Sequence, residues 1–297
     1  MSRFQVHSLL LALVLAATAH AQPDSNHTSL TAINLTSINS DAQEYGPLLS
    51  NDGSTFYFSR EMDLFLGRVN KFFQASVLPN GSMSAPVEIE RFNKLKDFGC
   101  ATIDNAGEIF CCYNPRPGAG GSIDIFQLKG NDLIPLDSVN SKYWDTQPSV
   151  SSDGKSLFFA SERERSSKWS NIFVAHRSGP QGSWSTPIKL GPQINGGEYN
   201  CYPSISRDGK VLFFGSNRNH TGSLLYASVR NGESDTSWSE PMVLPPPINA
   251  YAENSFPYLS PSGKDFFFVS NRKGGVGRKD IYQVHLPNGV EDLLGKH

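Results

Sequence analysis

This chain of 297 residues lacks any long stretch with helical apolar period, and it lacks a surplus of charge. Lysine and arginine number 26 against 28 aspartates and glutamates, so there is no concentrated basic surface to neutralise nucleic-acid phosphates. Cysteines are few. Cys100, Cys111, Cys112 and Cys201 form no CxxC pair and no zinc-type spacing, so no metal site is expected. They read as small buried apolar residues, with a disulfide from Cys100 to Cys111 or Cys112 as the alternative in an oxidising compartment. His27, His176, His220, His285 and His297 are scattered without an HxxxH pair, which leaves a Ser/His/Asp site nothing to anchor it. Gly118 to Gly121 and Gly274 to Gly277 are glycine-rich, but no helix pattern follows either, so neither reads as a phosphate cradle and no cofactor is implied.

One apolar run stands out, from Leu9 to Ala19, with Arg3 before it and Ala19-His20-Ala21 after it. Those are the three parts of an export signal, and the run is shorter than the roughly 20 apolar residues that span a bilayer. The expectation is a signal peptide over 1–21, cut after Ala21. The mature chain, 22–297, is then expected in the periplasm or secreted, as a monomer without a membrane span.

What the chain does have is phenylalanine, glycine and proline (19, 26 and 19 residues) and a repeat. An apolar residue followed by Asn recurs at Ile38-Asn39, Phe92-Asn93, Val139-Asn140, Ile194-Asn195 and Ile248-Asn249, and a glycine follows each Asn at one constant distance: Gly53, Gly107, Gly154, Gly209 and Gly263. Six residues before each glycine stands Pro47, Ala101, Pro148, Pro203 or Pro257. Asp-Gly turns between apolar runs mark hairpins, and an aromatic strand follows each turn, as in Phe56-Tyr57-Phe58 and Phe266-Phe267-Phe268. Third strands are expected at Asp63-Leu64, Asp124-Ile125, Asn171-Ile172, Leu224-Leu225 and Asp280-Ile281, and fourth strands after Pro86, Pro187 and Pro241. Four antiparallel strands per repeat make a propeller blade. The expected fold is therefore all-β: a five-bladed β-propeller with blades near 40–93, 94–140, 141–195, 196–249 and 250–288. The last unit lacks a fourth strand, and the segment 30–39 carries its signature, so that segment is expected to close the ring.

Tyr202-Pro203-Ser204 through Gly209 to Arg218, and Phe256-Pro257-Tyr258 through Gly263 to Arg272, resemble the WD40-like repeat of the TolB-type propellers. The resemblance implies a propeller of the periplasm or cell envelope that acts by contact with other macromolecules. It stops at the propeller: the namesake has six blades and an additional α/β domain, so its partners do not transfer. Sialidase Asp-box turns do not match, because Ser206-Arg207-Asp208-Gly209 lacks a residue between Asp and Gly.

Two loop sets are expected to share the channel mouth. One holds Glu44, Asp97, Trp144 with Asp145, Glu198 with Tyr199, and Glu253; the other holds Arg60, Arg116, Arg163, Arg218 and Arg272. The ligand-binding candidates are Glu44, Asp97, Trp144, Asp145, Tyr199, Arg218, Glu253 and Arg272. Structural pairs are expected from Arg60 to Asp63, Arg116 to Asp124 and Arg272 to Asp280, leaving Arg218 the free arginine because Leu224 fills the acid slot. An acid near the start of every unit favours a non-catalytic scaffold that engages an envelope protein or glycan. The alternative is a glycoside hydrolase or polysaccharide lyase using mouth carboxylates.

Overall fold

The computed structural model describes residues 29–64, 67–93, 98–114, 123–164, 170–219, 222–232, 234–235, 237–250 and 253–295; the expected signal peptide, 1–21, lies outside them. Five four-stranded antiparallel sheets stand in a ring as a five-bladed propeller. Blade one holds β2 (Gln43–Leu49), β3 (Thr55–Leu64), β4 (Gly67–Ser76) and β5 (Val87–Glu88). Blade two holds β6 (Phe98–Ile103), β7 (Ile109–Tyr113), β8 (Asp124–Lys129) and β9 (Asp132–Pro135). Blade three holds β10 (Asp145–Val150), β11 (Ser156–Ser161), β12 (Asn171–His176) and β13 (Ile188–Lys189). Blade four holds β14 (Asn200–Ile205), β15 (Val211–Ser216), β16 (Leu224–Val229) and β17 (Met242–Val243). Blade five joins β18 (Asn254–Leu259), β19 (Asp265–Ser270) and β20 (Asp280–His285) to β1 (Ala32–Asn34) from the other end of the chain.

Each first turn closes on a glycine with φ near +70° to +82°, a region only glycine enters freely. In blade one the Ser50 hydroxyl donates to Asp52 Oδ1, which accepts the Ser54 N–H. The same lock recurs at Ser151–Asp153 and Ser206–Asp208. The apolar-Asn signature has an equally local cause. Asn195 accepts the Ile172 N–H and donates to the Ile172 carbonyl, so its side-chain amide extends the short outer strand by one pairing. Asn140 does this to Ile125 and Asn249 to Leu225. Asn39 does it to Ile281 across the closure, and β1 pairs with β20 from Ala32 opposite Val284 to Asn34 opposite Tyr282. The ring is therefore closed by the leading segment.

The blades hold one another through second-strand aromatics. Phe213 meets Phe266 at 5.2 Å and Phe56 meets Phe267 at 5.1 Å between ring centroids, all four fully buried. Each such side chain contributes about 1.5–3 kcal/mol by leaving water. A short helix, α1 (Glu291–Leu294), plugs Leu293 into the core between blades four and five.

One strand expectation needs correction. Asp63 and Leu64 end β3 rather than beginning a third strand, because β3 and β4 are each ten residues long and keep pairing past Arg60. The third-strand motif of blade one is Lys71-Phe72-Phe73: Phe73 faces Phe58 as Phe173 faces Phe159. Arg68, in ion pairs with Glu61 and Asp63, holds the extended hairpin together.

Candidate functional site

The expected acid-arginine mouth resolves into buried struts. Arg60 donates to Glu44 at 2.6 Å and to the Ile38 carbonyl at 2.7 Å, with its guanidinium over the rings of Phe58 and Phe73. Arg163 repeats this with Asp145 and the Val139 carbonyl, both at 2.6 Å. Arg272 donates to the Ser270 hydroxyl and the Ile248 carbonyl. Each of these three arginines thus ties a second strand to the apolar-Asn corner of the preceding blade. The anticipated pairs are not formed: Arg60 takes Glu44 instead of Asp63, while Asp280 accepts Asn34 Nδ2 and two backbone N–H groups instead of Arg272. Arg116 lies outside the described residues.

Arg218 is not free either. It donates to the Gln193 and Ile194 carbonyls at 2.7 and 2.6 Å and stacks on Phe214 and Tyr226. An acid at each unit's start also proves to be an artefact of loose register. Five residues after the corner Asn stand Glu44, Phe98, Asp145, Asn200 and Asn254, so only two blades carry a carboxylate there, and both are buried. Burial pushes the Glu44 carboxyl above its usual range, against the hydrogen bonds of Ser40 and the charge of Arg60. Trp144 and Glu253 are exposed, Tyr199 is half-buried, and Asp97 lies outside the described residues.

The channel itself is filled. Where the first strands bulge, Gln147, Tyr202 and Phe256 adopt φ between +48° and +56° ahead of a proline and face the axis with Gly46. Tyr202 packs on Phe256 at 4.3 Å, Phe256 on Tyr45 at 5.2 Å, and the Tyr199 hydroxyl donates to that of Tyr202. Around these residues only small voids remain, of about 50 Å³ and, toward Cys100 and Cys112, about 140 Å³.

His176 does not stand alone. Its Nδ1 meets the Ser156 hydroxyl at 3.0 Å and its Nε2 meets Asp235 at 2.8 Å. The Asp235 carbonyl receives the Trp238 indole N–H, so the chain anchors the loop that carries Trp238.

A wide opening lies elsewhere, between blades five and one on the face of the β-turns, with a volume of about 1020 Å³. Two other seams carry a plug that this one lacks. Trp184 seals the seam between blades two and three against Phe110, with Arg177 stacked on its indole at 4.6 Å. Trp238 seals the next seam against Phe158, under Arg230 at 4.5 Å. Arg230 and Trp238 form a bridge whose counterpart in blade one is Val77 with Met83. The smaller pair leaves the seam open over a floor of Leu35, Leu49, Met83 and Phe267. Polar groups line both walls: Asn51, Asp52 and Asn80 from blade one, and Asp265, Gln283 and His285 from blade five. Asp265 accepts Gln283 Nε2 at 2.9 Å and contacts His285 Nδ1 at 3.2 Å. The hydroxyls of Ser50 and Ser54 and the Ser54 N–H hold the exposed Asp52 carboxyl down to about 2. In the sequence, a Trp leads into the outer strand in units three and four and not in unit one. Among the described residues no group of three His, Cys, Asp or Glu could hold a metal, and no helix is long and apolar enough to cross a membrane.

No protein-family model matches the chain, and no curated protein matches its sequence. Solved structures do match its fold. The GH43_1 enzyme from Xanthomonas citri complexed with xylose aligns with a TM-score of 0.59 at 10% identity, over 89% of this chain and 92% of that one. A glycosyl hydrolase from Bacteroides ovatus gives 0.53 at 10%, over 84% and 85%. TolB from Acinetobacter baumannii gives 0.50 at 16% over 84% of this chain, which spans only 55% of that one. At these identities the likeness is one of fold.

Proposed function

We propose that the protein is an exported, carbohydrate-active propeller that takes a segment of polysaccharide into the groove between blades five and one and hydrolyses it. The observation that carries this reading is the groove: it is where the repeat is broken to leave space, and its make-up suits a sugar. Apolar C–H faces of a pyranose settle on a floor of Leu35, Met83 and Phe267. Ring hydroxyls need the carboxylates, amides and imidazole that line the walls. Two carboxylates face the space from opposite blades. Asp52 stays ionised at every ordinary pH, but its turn role recurs at Asp153 and Asp208. Asp265 is specific to the groove, since Thr55, Ser156 and Val211 stand at its place in other blades. Proton transfer to a leaving group would fall to the Asp265–His285 pair. The fold likeness to glycoside hydrolases, one of them holding xylose, supports hydrolysis by analogy.

A second reading, binding of a glycan or envelope protein without turnover, is favoured by the fate of Glu44 and Asp145, which serve as buried ion pairs within blades one and three. Titration with xylo-oligosaccharides and a reducing-sugar screen on plant and bacterial polysaccharides separate the two. Turnover lost in Asp265→Asn supports hydrolysis; binding without turnover supports the second reading. Absence of both for every polysaccharide would remove the groove as a glycan site.

A further inference from the structure

Blade two departs from the repeat in a second way, independent of the groove. Its first hairpin has neither the proline nor the Asp-Gly turn, and it brings two cysteines together. Cys100 stands seven residues before the turn glycine, the position of Gly46, Gln147, Tyr202 and Phe256 in the other blades, and so faces the channel axis. Cys112 lies on the neighbouring strand β7, across from the bulge that β6 makes at Gly99 and Cys100. The two sulfurs are 3.4 Å apart. Room for Cys112 is kept by Gly99, where a Cβ would come within 2.4 Å of the sulfur. Both sulfurs border a cavity of about 140 Å³ at the end of the channel beneath Asn70 of the extended hairpin, with Gly99, Thr146 and Phe256 as further walls.

We propose that Cys100 and Cys112 are a redox-active dithiol that closes into a disulfide between β6 and β7 of blade two. The Cys100 thiol, the Thr146 hydroxyl and the N–H groups of Gln147 and Cys100 converge on the Cys112 sulfur and favour its thiolate against burial. Either sulfur can donate to the other, but the Thr146 and Gln147 donors act on Cys112, while the contact with Cys112 and burial hold the Cys100 thiol protonated. The other two cysteines differ: burial, the largest cause for both, pushes the Cys111 and Cys201 thiols up, and Cys111 is packed among Phe72, Phe92 and Phe98. Cys112 is thus the attacking sulfur and Cys100 the resolving one.

The oxidant is a small disulfide, RSSR. The Cys112 thiolate attacks one of its sulfurs, the S–S bond of RSSR breaks, the other RS group leaves as a thiolate, and a mixed disulfide forms on Cys112. Cys100 then gives up its proton and attacks Cys112 Sγ, expelling the second thiolate. Two protein thiols become one disulfide, and RSSR becomes two RSH. The sulfurs need to close by about 1.3 Å to reach the bonded distance of about 2.05 Å.

The test incubates the full mature chain with oxidised glutathione, then alkylates free thiols in denaturant and maps the peptides by mass spectrometry. The expected result is two alkylated cysteines, Cys111 and Cys201, and a Cys100–Cys112 cross-link that dithiothreitol reverses. Cys100→Ser is expected to trap glutathione on Cys112, and Cys112→Ser to leave Cys100 unreacted. Four alkylated cysteines in the oxidised wild type, or a cross-link that maps to Cys111, would overturn the proposal. Because the wild-type map decides alone, a variant that misfolds leaves it falsifiable.

Discussion

Glu44 is a buried acid that a sequence reading assigns to a binding site and that the fold uses as a strut. Its Oε1 takes Ser40 and Arg60, whereas Oε2 is buried without a hydrogen-bond partner. Removing the carboxylate from water costs more than these contacts return, so its pKa rises. Since the folded-state value exceeds the unfolded one, the stability Glu44 contributes is complete below the ordinary carboxylate range and is lost as pH rises through the folded value. Glu44→Gln, which is isosteric with the protonated acid, should close or reverse its melting-temperature deficit between about pH 4 and about pH 7. Melting curves at both pH values check this, and a gap that widens toward neutrality contradicts it. The arginine partners were illegible for a related reason. Sequence distance makes Asp63 look far nearer to Arg60 than Glu44 does, but strand register decides, and Glu44 lies directly opposite Arg60 on β2.

At the scale of elements, the closing segment was readable because its signature has a physical job that cannot be done elsewhere. Asn39 makes the same pair of bonds to Ile281 that Asn195 makes to Ile172, so a shared motif implied a shared place. Asn195→Ala should cost about 1–3 kcal/mol by leaving the Ile172 N–H and carbonyl buried and unpaired. Asn39→Ala loses the same bonds at a seam with no covalent continuity. Deleting residues 29–39 goes further: β20 becomes an open edge, and Leu35 and Ile38 leave the core between blades five and one. That truncation should aggregate or lose its cooperative melt, as light scattering and calorimetry would show; a parent-like melt would refute closure by this segment. The extended β3–β4 hairpin was not readable, because Asp63-Leu64 mimics a third-strand start while the true motif begins with Lys71.

For the whole molecule, the question is why a ring of near-equal seams leaves one open. Trp184 and Trp238 were visible in the sequence as leads into outer strands; their role as plugs became visible only once Phe110 and Phe158 were seen across the seam. Val77 and Met83 hold the matching positions in blade one, so the change Val77→Arg with Met83→Trp rebuilds the missing plug from parts the fold already uses twice. A Trp in a well-packed core would cost about 1–3 kcal/mol by overpacking, but here about 1020 Å³ of solvent-filled groove receives it. Burying the indole under a stacked guanidinium adds apolar burial and a cation–π contact of about 0.5–2 kcal/mol. The double variant should therefore melt at or above the wild-type temperature while losing oligosaccharide binding, with both read on the same preparation. A variant that melts normally and still binds would move the glycan site away from this seam. A variant that melts well below wild type would mean that Val77 and Met83 do not hold the positions of Arg230 and Trp238.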